Sequence, residues 1–436
     1  MSTTQAQALF LTLAVVLALA RLLGAAARRI GQPAVLGEIL IGILIGPTFF
    51  HGALAHHLLP APAQPYVGAL AGLGLALFMF LTGLELEPSL IRSQGRTAMS
   101  VALCSTALPF VLGTLLAWRL LPHHQVHSRV GFVVFLGASM AVTAFPVLAR
   151  ILADRQMMQT RIGGIALASA AASDVLAWLL LAVVVVVSGG PSPWRLALAP
   201  VYLALLLGVA RPALRRMAAT RAAGPGEAGG PPSPAAVAVV LGGLMLSCWA
   251  TEWMGLHYIF GAFMFGAALP RGVVAPALDP VRGIAEGLRG LGVVFLLPLF
   301  FVTAGLNVDL TLLGSQGWGE TALILLVAVV GKGLGAFAGA RAVRMPGRQA
   351  ATLATLMNTR GLTELVILSV GLQLGVLDKP LYARMVLMAV VTTFMTGPVL
   401  RLLHSDQRIQ QDRVEVASRG PAAVAEPQSV GSGPAA

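Results

Sequence analysis

The run "IGGIALASAAASDVLAWLLLAVVVVV", residues 162–187, decides the fold. As a helix it is long enough to cross about 30 Å of hydrocarbon, yet its midpoint carries a carboxylate, Asp174, with no other charged group in the run. Apolar runs of roughly 20 residues recur along the whole chain. The chain has 436 residues, is 57% hydrophobic and only 11% charged, and its mean hydropathy is +0.84. A soluble domain carries about 25% charged residues. A transmembrane barrel would instead show segments of about 10 residues with alternating polarity. The sequence therefore predicts an all-α polytopic membrane protein.

Thirteen transmembrane helices are expected, at about 7–23, 34–50, 66–84, 98–121, 130–151, 162–187, 194–210, 236–254, 256–270, 291–306, 320–343, 350–376 and 382–403. The eighth and ninth are separated by little more than a turn near Gly255. The basic residues support this count. Of 29, 22 lie in loops on one side, among them Arg28, Arg155, Arg216, Arg348 and Arg401, and five on the other: Arg119, Arg129, Arg195, Lys379 and Arg384. Lys332 and Arg360 are left inside helices. That asymmetry predicts an outside N-terminus and a cytoplasmic C-terminus in a cell (inner or plasma) membrane. It also explains the net charge of +12 without a nucleic-acid partner. Cys104 and Cys248 fall inside apolar runs and read as packing residues. No removed signal peptide is expected.

The Gly/Pro-rich stretch 211–236 reads as a flexible cytoplasmic linker between two halves, and 405–436 as a disordered cytoplasmic tail with no appended nucleotide-binding domain. The halves resemble each other. "LFMFLTGLELEPSLI" (77–91) aligns with "LFFVTAGLNVDLTLL" (299–313), placing Gly83 over Gly305 and Glu87 over Asp309. "PAVLGEILIGILIGP" (33–47) aligns with "HYIFGAFMFGAALP" (257–270), placing Gly37 over Gly261 and Gly42 over Gly266. The matched segments run in opposite directions through the membrane, the signature of an inverted repeat.

Four charged side chains lie well inside helices: Asp174, Lys332, Arg360 and Glu364. Each costs about 2.5–3.5 kcal/mol on insertion scales, so a function is the default expectation; a structural ion pair is the bland alternative for Lys332 and Glu364. In low dielectric a carboxyl binds a proton more readily than in water, and once ionised it attracts a small cation. Proton and cation then compete for one group. Glu38 and Glu252 sit near helix ends and read as interfacial. Two segments carry breaks. In "TAFPVLAR" (143–150), Pro146 removes a backbone donor, and Thr143 with the freed carbonyls offers oxygen ligands. In "MNTRGLTEL" (357–365), Asn358, Thr359 and Gly361 surround Arg360, which is placed to balance half-helix C-terminal ends. The small residues Ala168, Ala170, Ala171, Ala172 and Ala177 permit close helix approach around Asp174. The histidines of "HHQVH" (123–127) read as solvated loop residues, with a metal or pH-sensing role as the minor alternative.

In order along the chain, "FMFLTGLELE", "TAFPVLARIL", "ASDVLAWLLLA", "LPLFFVTAGL" and "MNTRGLTELVIL" resemble the monovalent cation:proton antiporters of the Kef and plant CHX type, over about residues 10–404. The resemblance implies a sodium/proton-antiporter fold with two broken crossing helices, usually homodimeric. It implies a core bundle (about 98–187 and 320–404) moving against a scaffold (about 7–84 and 194–306) within a domain spanning 1–404. Position by position, it makes Asp174 the group that binds the cation and the proton, with Ser173, Thr143, Phe145 and Pro146 beside it. It makes Lys332 the basic residue of the core and Asn358 to Glu364 the second break. The transported ions are then H+ and Na+ or K+, with no cofactor.

Two departures matter. Electrogenic members carry adjacent aspartates, whereas Ser173 precedes Asp174 here. That suggests one proton per cation, hence electroneutral exchange, and leaves Lys332 without the family's partner. The nucleotide-binding domain of the Kef potassium-efflux systems is not expected, so a potassium pathway without its regulatory domain is the alternative within transport. An intramembrane enzyme fits poorly: Ser173 and Asp174 point about 100° apart on a helix, and no metal motif is present in the sequence.

Overall fold

The computed structural model describes residues 2–49, 52–60, 62–85, 95–158, 160–188, 193–222, 234–269, 287–288, 290 and 292–403. The tail 405–436, the second part of the predicted linker (223–233) and Glu87 lie outside the described residues.

Among the described residues each of the thirteen predicted segments contains helix, in whole or in part. The elements are α1 (Thr3–Arg29), α2 (Ala34–Ile45), α3 (Gln64–Glu85), α4 (Gly95–Leu120), α5a (Arg129–Ala141), α5b (Phe145–Asp154) and α6 (Arg161–Val187). Then come α7 (Pro193–Leu196, then Ala199–Leu205 running through Leu206–Ala210 into Arg211–Ala222), α8 (Pro234–Met254), α9 (Tyr258–Ala268) and α10 (Gly292–Leu296 continued by Leu297–Leu306). The last are α11 (Gly314–Ala342), α12a (Gly347–Met357), α12b (Leu362–Gln373) and α13 (Lys379–Leu403). Among the described residues nine helices are long and apolar enough to cross a membrane, while α2, α9 and α12b are shorter apolar helices.

Two expectations are corrected. The linker read from 211 begins later, because Arg211–Ala222 is helical. Its Arg, Ala, Leu and Met residues are good helix formers, and the polarity that suggested a linker marks only where the helix leaves the apolar layer. The second helix stops at Ile45 rather than running to residue 50: the backbone turns extended at Gly46 and Pro47 follows. The sharp turn near Gly255 is present, with Gly255 at φ 83°.

The glycines aligned between the halves explain the packing. A Cβ on Gly37 would lie 2.4 Å from the Leu23 carbonyl of α1, and one on Gly261 lies 2.3 Å from the Ser247 carbonyl of α8. Gly42 meets the Val302 carbonyl of α10 at 2.2 Å, and Gly266 meets the Phe80 carbonyl of α3 at 2.1 Å. Thus α2 lies against α1 and α10 as α9 lies against α8 and α3. The two halves use the same glycines for the same crossings, as backbone contact without side chains requires. Elsewhere α4 packs on α11, α5a and α6, and α11 packs on α12a and α13. Gly335 and Gly339 of α11 let it ride directly on the α4 backbone at Cys104 and Ser100.

Candidate functional site

The chain breaks α5 at Val142, which turns extended (φ −68°, ψ 143°), and restarts it at Phe145 with Pro146 in the first turn. Pro146 therefore begins a half-helix rather than kinking a continuous one. Its missing N–H is harmless in a first turn and would clash in an interior. The second break runs from Asn358 to Gly361, between α12a and α12b.

The breaks are bonded to each other. The Ala144 N–H donates to the Thr359 carbonyl at 3.0 Å, and the Thr143 hydroxyl donates to the Met357 carbonyl at 3.2 Å. A side chain on Gly361 would collide with Val147 at 2.7 Å, so only glycine lets the two segments cross here.

Four half-helix ends meet in this region, and the charged side chains are sorted among them by the helix dipoles. A helix C-terminus carries about half a negative charge and an N-terminus half a positive one. Arg360 donates from Nη1 to the Ser139 carbonyl at 2.8 Å and from Nη2 to the Met140 carbonyl at 2.6 Å. Lys332 donates from Nζ to the Ala141 carbonyl. Two cations therefore cap the C-terminal end of α5a. Glu364 lies in the first turn of α12b, and its Oε2 accepts from Arg360 Nη1 at 2.7 Å, both side chains being fully buried. At the C-terminal end of α12a the Met357 carbonyl accepts from the neutral Thr143 hydroxyl.

Asp174 is 1% exposed and neither carboxylate oxygen has a hydrogen-bond partner. It faces the Phe145 N–H at the start of α5b without completing a hydrogen bond, and it lies within Coulombic reach of Lys332. The Ser173 hydroxyl on the same helix, and Asn358 Oδ1, the Thr359 hydroxyl and Glu364 Oε1 at the second break, are likewise buried and unpartnered. Buried polar atoms are ordinarily paired, so this concentration of uncommitted oxygen is unusual. The small residues Ala168, Ala170, Ala171, Ala172 and Ala177 are all buried.

The breaks thus hold Thr143, Thr359, Arg360, Gly361 and Glu364 in one connected group, with Lys332 attached through α5a and Asp174 beside Phe145. Ser173 is buried, but no bond joins it to that group. The sequence reading missed Thr393 of α13, whose hydroxyl donates to the Arg360 carbonyl at 2.5 Å. The polar cluster in "VVTTFMT" (390–396) was the available signal, since Thr392, Thr393 and Thr396 are all buried. It also missed Trp178, one turn beyond Asp174. The indole packs on Phe260 and Phe263 of α9, with ring centroids 5.8 and 6.1 Å away. A cavity of about 290 Å³ lies between α3, α9, α10 and α12b, lined by Gly72, His257, Thr303, Asn307, Ser369 and Gln373 among others.

The model of the family described as "Sodium/hydrogen exchanger, transmembrane" matches residues 14–404. Cation/H(+) antiporter 20 of Arabidopsis thaliana is 36% identical over 419 residues, covering 91% of this chain and 48% of the plant protein. The chain thus spans about half the length of such plant relatives. Na(+)/H(+) antiporter NhaS4 of Synechocystis sp. is 36% identical over 398 residues, covering 88% of this chain and 94% of that one. The solved sodium proton antiporter MjNhaP1 of Methanocaldococcus jannaschii superimposes with a TM-score of 0.66 at 15% identity, over 93% of this chain and 97% of that one, which shows a shared fold. This chain belongs to the sodium/hydrogen exchanger family of transmembrane proteins.

Proposed function

We propose that the chain exchanges a monovalent alkali cation, Na+ or K+, for protons across a cell membrane by alternating access. The observation that carries this is Asp174: a buried carboxylate that faces the Phe145 N–H at the start of α5b and has no side-chain hydrogen-bond partner. Such a carboxylate needs a positive partner, and a proton and an alkali cation are the alternatives. Uncharged oxygens from Thr359 and Asn358 and the lightly capped end of α12a suit a hard cation without fixing it permanently. Lys332 and Arg360 are occupied with the α5a carbonyls, which supports a single ionisable acceptor, Asp174, and hence one proton per cation.

In this reading α4–α6 and α11–α13 form the core bundle and α1–α3 with α7–α10 the scaffold. The chain makes thirteen crossings, with the N-terminus outside and the Arg-rich end cytoplasmic, and two copies associate as a dimer. The boundary between core and scaffold passes through the Trp178–Phe260 and Trp178–Phe263 contacts. Closed there, Asp174 is shut off on that side.

The test is the purified chain in liposomes, with proton flux driven by gradients of sodium, potassium, lithium or rubidium. Exchange driven by at least one of these, with a stoichiometry insensitive to an imposed membrane potential, is expected. Proton flux that ignores every alkali gradient contradicts exchange. A cation current without proton movement favours a channel-like pathway, and a strong voltage dependence of the stoichiometry contradicts the electroneutral ratio.

A further inference from the structure

At the end of the molecule away from the Arg-rich loops, five titratable or charged side chains from three segments meet around His124. Its ring is almost completely buried, with a side-chain exposure of 2%, although it sits in the short connection between α4 and α5a. This corrects the expectation of a solvated loop histidine. Nδ1 lies 2.7 Å from Asp378 Oδ2, in the turn between α12b and α13. Nε2 lies 3.2 Å from Arg384 Nη1 of α13 and 3.5 Å from Glu320 Oε2 of α11. Arg384 Nη1 lies 2.7 Å from the same Glu320 oxygen, and the other Glu320 oxygen is 2.8 Å from His123 Nδ1. From α5a the neighbour is Phe132, whose ring stacks on the imidazole at 6.4 Å. His127, in the same connection, pairs with the Gly375 carbonyl of the turn that holds Asp378.

These distances assign the neutral ring one tautomer. Nδ1–H donates to Asp378, and Nε2 accepts from Arg384, which also donates to Glu320. These contacts latch α11, α13 and the α12b–α13 turn to one imidazole. A proton added to Nε2 turns that acceptor into a donor facing the Arg384 N–H, so the contact must break. Glu320, close enough to receive the new Nε2–H, then has to be shared between His124 and Arg384.

We infer that His124 is a second proton-binding site, separate from Asp174, at which protonation from the outer face releases this latch and slows exchange. The inference rests on the transport reading for its consequence. The latched elements lead to the centre: α11 carries Lys332, α13 carries Thr393, and α12b begins at the second break. Asp378 supports the geometry. Burial works against its charge, yet the His124 hydrogen bond, the Leu381 N–H, the charge of a protonated His124 and then that of Arg384 hold its carboxyl below the usual carboxylate range.

The experiment is cation-driven proton flux in everted membrane vesicles, whose lumen is the outer face, with lumenal pH set between 8 and 6 and bath pH fixed. The wild type is expected to lose at least threefold more rate over that range than His124→Gln, which cannot take up a proton. His123→Gln, at a side chain 55% exposed, is expected to follow the wild type. Identical lumenal pH profiles for wild type and His124→Gln overturn the inference. Thermal unfolding of the detergent-purified chain reads the latch without transport and guards against a misfolded variant. The Tm difference between pH 8 and pH 5.5 should shrink by at least half in His124→Gln. An unchanged difference contradicts the latch even if no transport is found, whereas absent wild-type transport with a reduced difference contradicts only the exchange reading.

Discussion

Arg360 and Glu364 form a fully buried ion pair, Nη1 to Oε2 at 2.7 Å, one turn apart on either side of the start of α12b. The same guanidinium reaches across to the Ser139 and Met140 carbonyls at the end of α5a. It therefore fastens one broken helix to the other, while the carboxylate shares Nη1 with the Ser139 carbonyl.

Removing one partner of a buried pair leaves the other uncompensated, at a cost of about 3–5 kcal/mol. Arg360→Ala should reach that range because two carbonyls also lose their donor. Glu364→Gln should cost less, since Arg360 keeps both carbonyls. The double variant Arg360→Ala/Glu364→Gln should unfold at a higher temperature than Arg360→Ala alone. Thermal unfolding in detergent gives the cycle, and simple additivity would mean that the pair is not coupled.

Lys332 caps a helix end rather than a carboxylate. Lys332→Met should lower stability by about 1–3 kcal/mol, the cost of leaving the buried Ala141 carbonyl unpaired. Lys332→Arg, which retains a donor, should lose less. Tm values of the three proteins decide this, and an undiminished Tm for Lys332→Met would show that the carbonyl does not depend on the ammonium.

The inverted repeat makes a paired prediction. Gly42→Ala and Gly266→Ala each place a methyl within 2.2 and 2.1 Å of a backbone carbonyl in the facing helix. Both should destabilise by about 1–3 kcal/mol through overpacking. Gly242→Ala, with nothing within 4 Å, should be neutral or stabilising. Equal tolerance at all three sites would contradict the packing.

Much of this was legible in the sequence, and the reason is physical. Uninterrupted apolar runs leave few choices of element, and Gly37, Gly42, Gly261 and Gly266 mark crossings because only a bare backbone permits them. Arg360 was legible as a cap for half-helix ends because a buried guanidinium needs several acceptors. Pro146 was legible as the mark of a break; that it begins a half-helix rather than sitting inside one rests on the extended backbone at Val142. His124 was not legible. Its short polar connection resembles a solvated loop, and its partners Glu320, Asp378 and Arg384 come from distant segments.

Asp378 sets a pH dependence of stability. Its folded-state carboxyl titrates below the unfolded value, so its contribution is present above about pH 4 and is lost as pH falls through the lower, folded value. Asp378→Asn should thus lower Tm by a few degrees at pH 7, with the difference closing toward acid. Solvent screening of this half-exposed group keeps the effect modest. A difference that stays constant from pH 7 to acid would contradict the linkage.

The most direct test of the central claim is Asp174→Asn in the full chain, reconstituted in liposomes, with proton flux driven by an alkali-cation gradient. Asparagine keeps the volume and can neither take up nor release the proton. The account predicts that cation-driven proton flux falls to the level of empty liposomes while Tm is maintained or raised, because an unpaired buried carboxylate has been removed. Flux at the wild-type rate in this variant would contradict it and remove Asp174 from the exchange.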